Sequence, residues 1–399
     1  MKIVLYTNSF LPILGGREFV VHYLADALQQ LGHEARVTGP AGFWRNRHER
    51  FGYPVHRWPT LRGFMSEQVA LGAIALDTAL WGADIIHAHN TWPTGYHAIR
   101  LRRLHRYPLV ITPHGQDIQS IPELGHGLRL DPLLNEKIMY AVRHADVVTA
   151  ISKNIENALL DAGASPERVR LIPNGVDLAR YRRPPSIDVR RWLGVEPEAR
   201  LIVTIGRHNP RKGQDYLVRA MPRILAREPR ARLVVVGNKT EALLPLISQL
   251  GLEGKVVLTG GISPSRNILG GGGPYPGETS EPDYLAELLG AGELYVSAGI
   301  QNNAEGLSLA VLEGMASGLP VVATAISGNT DVVVEGENGY LVPPADEAAL
   351  AEAILRVLTQ PDHDRLRRLA RDTAARYAWI NVAKQYVTCY QEAMELSRQ

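Results

Sequence analysis

Short apolar runs alternate with amphipathic helical stretches along almost the whole chain. In the first half KIVLYTN (2–8), HEARVTG (33–39), PVHRWP (54–59), DIIHAH (84–89), PLVITPH (108–114), DVVTAI (146–151) and VRLIPNG (169–175) read as strands. The clearest helix is REFVVHYLADALQQL (17–31), where Phe19, Tyr23, Leu24, Ala27, Leu28 and Leu31 recur at helical spacing until Gly32. Strands that alternate with helices pair as parallel βαβ units, so the predicted class is α/β with doubly wound parallel sheets. YRRPPSIDVRR (181–191) breaks the pattern, and Pro184-Pro185 reads as a linker. The alternation restarts with RLIVTIG (200–206), RLVVVG (232–237), KVVLTG (255–260), ELYVSA (293–298) and LPVVAT (319–324). Two domains are therefore expected, 1–183 and 184–379, facing each other across a cleft at the carboxyl ends of their strands. From Asp346 the chain reads as helices only, and the last, about 380–396, is expected to cross back, so that 380–399 joins the first domain.

Charge and cysteine content narrow the function. A net charge of +2 is too small to argue for nucleic acid. Cys389 is the only cysteine, which excludes a disulfide framework and a thiolate metal cluster and suits a reducing cytoplasm. MKIVLYTNSF is too short an apolar run for a signal peptide, and no stretch of about 18 apolar residues could span a membrane. YHAIRLRRLHRY (96–107) reads as a basic helix with Arg100, Arg103 and Arg106 near one face and Arg102 just off it. It is a solvated face by default, or a peripheral contact with anionic lipid at the inner membrane face. Asp362-His363-Asp364 resembles a DxD metal motif, but after Pro361 it reads as a helix N-cap.

Several segments carry candidate chemistry. Gly15-Gly16 follow the first strand where a helix begins; glycine admits a close anion and the helix-start amides favour phosphate, or the pair is a plain turn. In TIGRHNPRKGQDYLVRA (204–220), Gly206 ends a strand, with Arg207 next and Lys212-Gly213 before a helix. Gly237 ends the neighbouring strand of the same pattern. A forked guanidinium and a compact ammonium can converge on one diphosphate, or they belong to a solvated loop. AEGLSLAVLEG (304–314) places Glu305 before a helix expected over 308–317 and Glu313 on it, with Gly318 as its stop. The amides of Gly306, Leu307 and Ser308 lie at that helix start and would face an anion. Glu305 would then accept from hydroxyls beside the anion, and Glu313 from a ribose. By spacing alone the two glutamates are equally well a dipole partner and a surface residue. TPHGQD (112–117) puts His114 at a strand end with Asp117 beyond it. HAHN (87–90) ends the neighbouring strand with His89 and Asn90, and these with Asp117 are candidates to touch an acceptor.

Together the GG turn, GR…KG, and E-x7-E running into EGMASGLPVVAT resemble the family 4 glycosyltransferases of GT-B fold, of the glycogen-synthase-like E-x7-E group. IPNGVD (172–177), GENGYLVPP (336–344) and RYAWINVAKQYVTCY (376–390) add to the likeness, which covers nearly the whole chain. It implies two Rossmann-like domains and a sugar-nucleotide donor held mainly by the second. Arg207 and Lys212 would hold the diphosphate, Glu305 the donor sugar, the Gly306 and Leu307 amides the phosphate or sugar, and Glu313 the ribose. Gly16 would approach the phosphate and His114 the transferred sugar. The likeness also implies retention of anomeric configuration with no bound metal and no resident cofactor. The carrier expected is UDP, ahead of GDP or ADP. The acceptor expected is a saccharide, a lipid-linked saccharide or a small metabolite. Two departures fall near the donor sugar: the long Gly-rich segment 261–282, and IQNNAEG (300–306) before the first glutamate. A nucleotide-sugar epimerase or hydrolase of similar fold, or a non-catalytic nucleotide-sugar-binding protein, are the alternatives. The dinucleotide fingerprint of a nicotinamide enzyme is missing.

Overall fold

A computed structural model describes residues 1–398 apart from 12, 14, 41–50, 60–63, 103–105, 263–281, 301–305 and 327, and only the backbone of 64–67. Two compact units emerge. The first holds Met1–Gly175 and Trp379–Gln399, and the second the described residues of Val176–Ser265 and Ser280–Ala378.

The first unit is a sheet of β1 (Lys2–Thr7), β2 (Glu34–Pro40), β3 (Val55–Trp58), β4 (Ile85–His89), β5 (Leu109–Thr112), β6 (Val147–Ala150) and β7 (Val169–Leu171). Its order is β3-β2-β1-β4-β5-β6-β7, every pair parallel, with Ile3 opposite Ala35 on one side and Ile85 on the other. The connecting helices are α1 (Gly16–Gln30), α2 (Phe64–Ala79), α3 (Tyr96–Arg102), α4 (Pro132–His144) and α5 (Lys153–Asp161). β4, β5 and β6 are buried at every residue, which is why IIHAH, LVIT and VVTA read as unbroken runs rather than as alternating ones.

The second unit carries β8 (Arg200–Ile205), β9 (Ala231–Val236), β10 (Val256–Gly260), β11 (Leu294–Ser297), β12 (Val321–Thr324) and β13 (Gly339–Val342), in the order β10-β9-β8-β11-β12-β13, all parallel. Its helices are α6 (Leu178–Tyr181), α7 (Val189–Leu193), α8 (Gln214–Leu225), α9 (Leu244–Gln249), α10 (Tyr284–Ala291), α11 (Leu309–Ala316), α12 (Glu347–Thr359) and α13 (His363–Arg376). Successive strand residues feed opposite faces. Ile202, Leu233 and Val235 pack with Leu217 and Ile354, whereas Leu201, Val203 and Val234 pack with Val311 and Met315. Each such side chain contributes about 1.5–3 kcal/mol by burial.

α14 (Trp379–Leu396) belongs to the first unit. Tyr390 is hydrogen-bonded to His87 at 2.8 Å, and Tyr386 reaches Thr112 at 3.4 Å. Trp379 lies flat on Gly175, where a Cβ would come within 2.5 Å of the indole, and it stacks on Tyr23 at 6.0 Å. The boundary between units differs from the proline pair. Residues 176–183 cluster with the second unit, because Val176 and Tyr181 are buried in its core and Arg180 pairs there with Asp283. Of the basic helix, Tyr96–Arg102 is described as α3; the Arg102 guanidinium turns onto Asp146 at 2.9 Å, while Arg100 is exposed and Arg103 lies outside the described residues. Asp362 does occupy an N-cap position, though its side chain makes no capping bond.

Candidate active site

In both sheets the strand order reverses at one point, between β1 and β4 and between β8 and β11. Chains leaving adjacent strands there diverge to opposite faces, which opens a crevice at the carboxyl ends. In the second unit that crevice is an open pocket lined by residues from five segments. β8 supplies Thr204 and Ile205, the following turn Lys212 and Gln214, β11 Tyr295 and Ser297, and the start of α11 Gly306 and Ser308. Asn329, from beyond β12, completes it.

The turn after β8 is built to bring Lys212 in. Asn209 caps a 3-10 turn over Pro210–Lys212, and Gly213 follows at φ +64. A Cβ on Gly213 would lie 1.8 Å from the Ala298 carbonyl oxygen, so this position must be glycine both for its backbone and for space. Gln214 is buried and donates to the Gly206 carbonyl at 2.9 Å. The Lys212 stem runs over Gly206, 3.8 Å from where a Cβ would stand. Gly237 backs onto the same turn, since a Cβ there would come within 2.1 Å of the Gly206 oxygen. Arg207 is exposed and is not among the pocket-lining residues. Arg211 has a buried Nη1 without a partner among the described residues.

α11 spans Leu309–Ala316, and Ser308 is its N-cap without a side-chain capping bond. Ser308 thus leaves the first amides uncapped by its own side chain at the end that lines the pocket, and they carry the positive end of the helix dipole. Leu307 is buried in the core beneath. At the far end the Gly318 and Leu319 amides donate to Met315 and Gly314, the stop expected from the sequence. Glu313 does not line the pocket. Burial pushes its carboxyl above the usual range, opposed by Arg180 and the Tyr181 hydroxyl. Arg180 itself makes a buried two-pronged pair with Asp283, at 2.7 and 3.2 Å. Glu305 lies outside the described residues.

The first unit gathers its candidates at its own switch point. Asn90, after β4, donates to Asn8, after β1, at 3.0 Å and holds φ +105. His89 Nδ1 is 3.1 Å from His114 Nε2. Asp117 receives the backbone N–H of Thr91 and of His114, each at 2.8 Å, yet burial leaves its carboxyl above the usual range. Gly15 is the N-cap of α1, with no side-chain capping bond, and Gly16 begins the helix. Arg17 pairs with Glu18 at 3.0 Å, and its charge acts on His89, His114 and Asp117.

A family model for Glycosyltransferase Family 4 matches residues 14–180, and one for Glycosyl transferases group 1 matches residues 199–360. The D-inositol 3-phosphate glycosyltransferase of Acidothermus cellulolyticus is 30% identical over 78% of this chain and 67% of its own. The chain is a family 4 glycosyltransferase. Solved structures agree on the GT-B fold. Sucrose-phosphate synthase of Thermosynechococcus elongatus superposes with a TM-score of 0.78 at 24% identity over 98% of both chains. Anabaena HepE in complex with UDP-glucose does so at 0.74 and 22% identity, over 97% of this chain and 98% of that one.

Of the residues expected from sequence, the glycosyltransferase brings Lys212, Gly306 and Ser308 into one pocket, and His89, Asn90, His114 and Asp117 into one cluster. Thr204, Tyr295, Ser297 and Asn329 were missed. Asn329 is 4% exposed and holds the loop after β12, donating to the Thr324 carbonyl at 3.0 Å. Arg17 and His87 were missed in the first unit, although Arg17 follows Gly16 directly and His87 begins HAHN. Among the described residues no group of three or more His, Cys, Asp or Glu could hold a metal, and no helix is long and apolar enough to cross a membrane.

Proposed function

We propose that this glycosyltransferase moves a hexose from a UDP-sugar to a hydroxyl of a saccharide, lipid-linked or small polyol acceptor, with retention and without a metal. The observation that carries the reading is the meeting of Lys212 with the uncapped start of α11 in one pocket. A cation and oriented amides there suit a diphosphate leaving group. Support for the carrier and the acceptor class comes from the neighbours: HepE was solved with UDP-glucose, and the inositol-phosphate relative is named for a phosphorylated polyol acceptor.

As the bond from the sugar C1 to the phosphate oxygen breaks, negative charge grows on the nucleoside diphosphate. Lys212, Arg207 and the α11 amides are assigned to stabilise that charge, which is binding of the transition state. Glu305 is assigned to the donor sugar and Glu313 to the ribose. The acceptor oxygen attacks C1 from the same face, and its proton passes to the departing phosphate oxygen. Lys212→Ala is expected to lower kcat by ~10²-fold or more, by analogy with the loss of one oxyanion donor. Steady-state assays with UDP-sugars measure this, and normal turnover would remove the diphosphate assignment. EDTA is expected to leave the rate unchanged, and NMR of the product to show the donor's anomeric configuration.

A further inference from the structure

Three histidines stand in a row at the switch point of the first sheet. His87 and His89 rings are 4.2 Å apart, and the His89 and His114 rings stack at 5.4 Å and 23°. Both nitrogens of His87 are engaged, Nδ1 by the Tyr390 hydroxyl at 2.8 Å and Nε2 by the Thr112 hydroxyl at 2.6 Å. His89 is different. Its Nδ1 meets His114 Nε2 at 3.1 Å, but its Nε2 is fully buried and has no partner among the described residues.

That asymmetry decides where the protons sit. One proton is shared between His89 Nδ1 and His114 Nε2. If His114 Nε2 donated it, the proton of His89 would be on Nε2, as a buried N–H with no acceptor. Orphaned buried N–H groups are rare and costly, and a bare ring nitrogen is the cheaper thing to leave unmet. His89 therefore carries its proton on Nδ1 and donates to His114. The proton of His114 is then on Nδ1, the opposite edge of its ring. Burial, the neighbouring rings and the Arg17 charge keep His89 and His114 uncharged. The Asp117 carboxylate holds the backbone of the same turn through the His114 amide.

We propose that His89 is a positioning residue that fixes His114 as the neutral Nδ1–H tautomer, so that His114 meets its ligand as a hydrogen-bond donor and not as a base. The inference rests on the reading that His114 touches the transferred sugar. A neutral imidazole donor suits a sugar hydroxyl or a developing negative oxygen.

The test uses the full chain with 15N-labelled histidine. Two-bond 1H–15N correlations at neutral pH are expected to show the His114 ring, identified by its loss in His114→Ala, as the Nδ1–H form. In His89→Leu that form is expected to give way to the Nε2–H form. In the same variant kcat is expected to fall about tenfold or more, less than the ~10²–10³ for losing a donor outright. KM for the donor should change by less than about threefold. His89→Asn keeps an N–H near the Nδ1 position and is expected to restore both tautomer and turnover. An Nε2–H form of His114 in the unmodified protein, or an unchanged tautomer in His89→Leu, overturns the proposal. Undiminished turnover in His114→Ala, with the Nδ1–H form present beforehand, removes instead the contact between His114 and the sugar.

Discussion

At the scale of single residues, shape decides as much as charge. Gly213 must be glycine, for its φ of +64 and for the 1.8 Å that a Cβ would leave to the Ala298 oxygen. Gly213→Ala is expected to cost about 1–3 kcal/mol from the backbone alone, and more from the displaced β11 end. A fall in the urea midpoint with unchanged slope measures it. Gly328 plays the same part beneath the start of α11, where a Cβ at φ +86 would meet the Gly306 oxygen at 2.4 Å. Gly328→Ala should therefore displace Gly306 and raise KM for the donor. Lys212 was legible in the sequence because cation, glycine and helix start are neighbours in the chain. Gly328 was not, since it acts on Gly306, remote in sequence, and has no side chain to advertise; Asn329 and Thr204 reach the pocket only through the fold. Glu313 shows the converse. Its spacing from Glu305 was visible, but its company, the Arg180–Asp283 pair, comes from two segments that no local pattern joins.

At the scale of elements, the strands and most helices were legible because buried parallel strands are continuous apolar runs and surface helices repeat near 3.6 residues. The contact boundary falls at Gly175–Val176 and not at Pro184-Pro185, because prolines mark turns, and turns occur inside units as well as between them. What places α6 in the second unit is tertiary: Arg180, 3% exposed, pairs with Asp283, 7% exposed at the side chain, and Asp283 also caps α10. Arg180→Leu leaves a buried carboxylate without its partner. The expected loss is about 3–5 kcal/mol of second-unit stability, read by chemical denaturation. α14 is held to the first unit by an indole seated on a glycine and by two buried tyrosines. Trp379→Ala should cost about 3–5 kcal/mol. Tyr390→Phe removes only the bond to His87 and should cost about 1 kcal/mol.

At the scale of the whole molecule, acid acts on the first unit through its histidine row. That unit holds His87 and His89 buried and His114 partly buried, all uncharged, each with its pKa pushed below the ordinary value by burial first and neighbouring charge second. A histidine whose folded pKa lies below its unfolded one binds fewer protons when folded. Its contribution is therefore intact above the unfolded pKa near 6.5 and is lost as pH falls toward the folded value. For His89 that value is about 3. Over the window from pH 6.5 to 5, His89 alone should withdraw about 2 kcal/mol. The three rings lie on β4 and just after β5, so the loss belongs to the centre of the first sheet. Native-state hydrogen exchange between pH 7 and 5, corrected for the intrinsic pH dependence, should show β4 and β5 amides losing protection. His89→Asn, which cannot take up a proton in this range, should flatten that decline. A first-unit stability independent of pH over this window would mean that these rings take up protons as readily in the folded state as in the unfolded one.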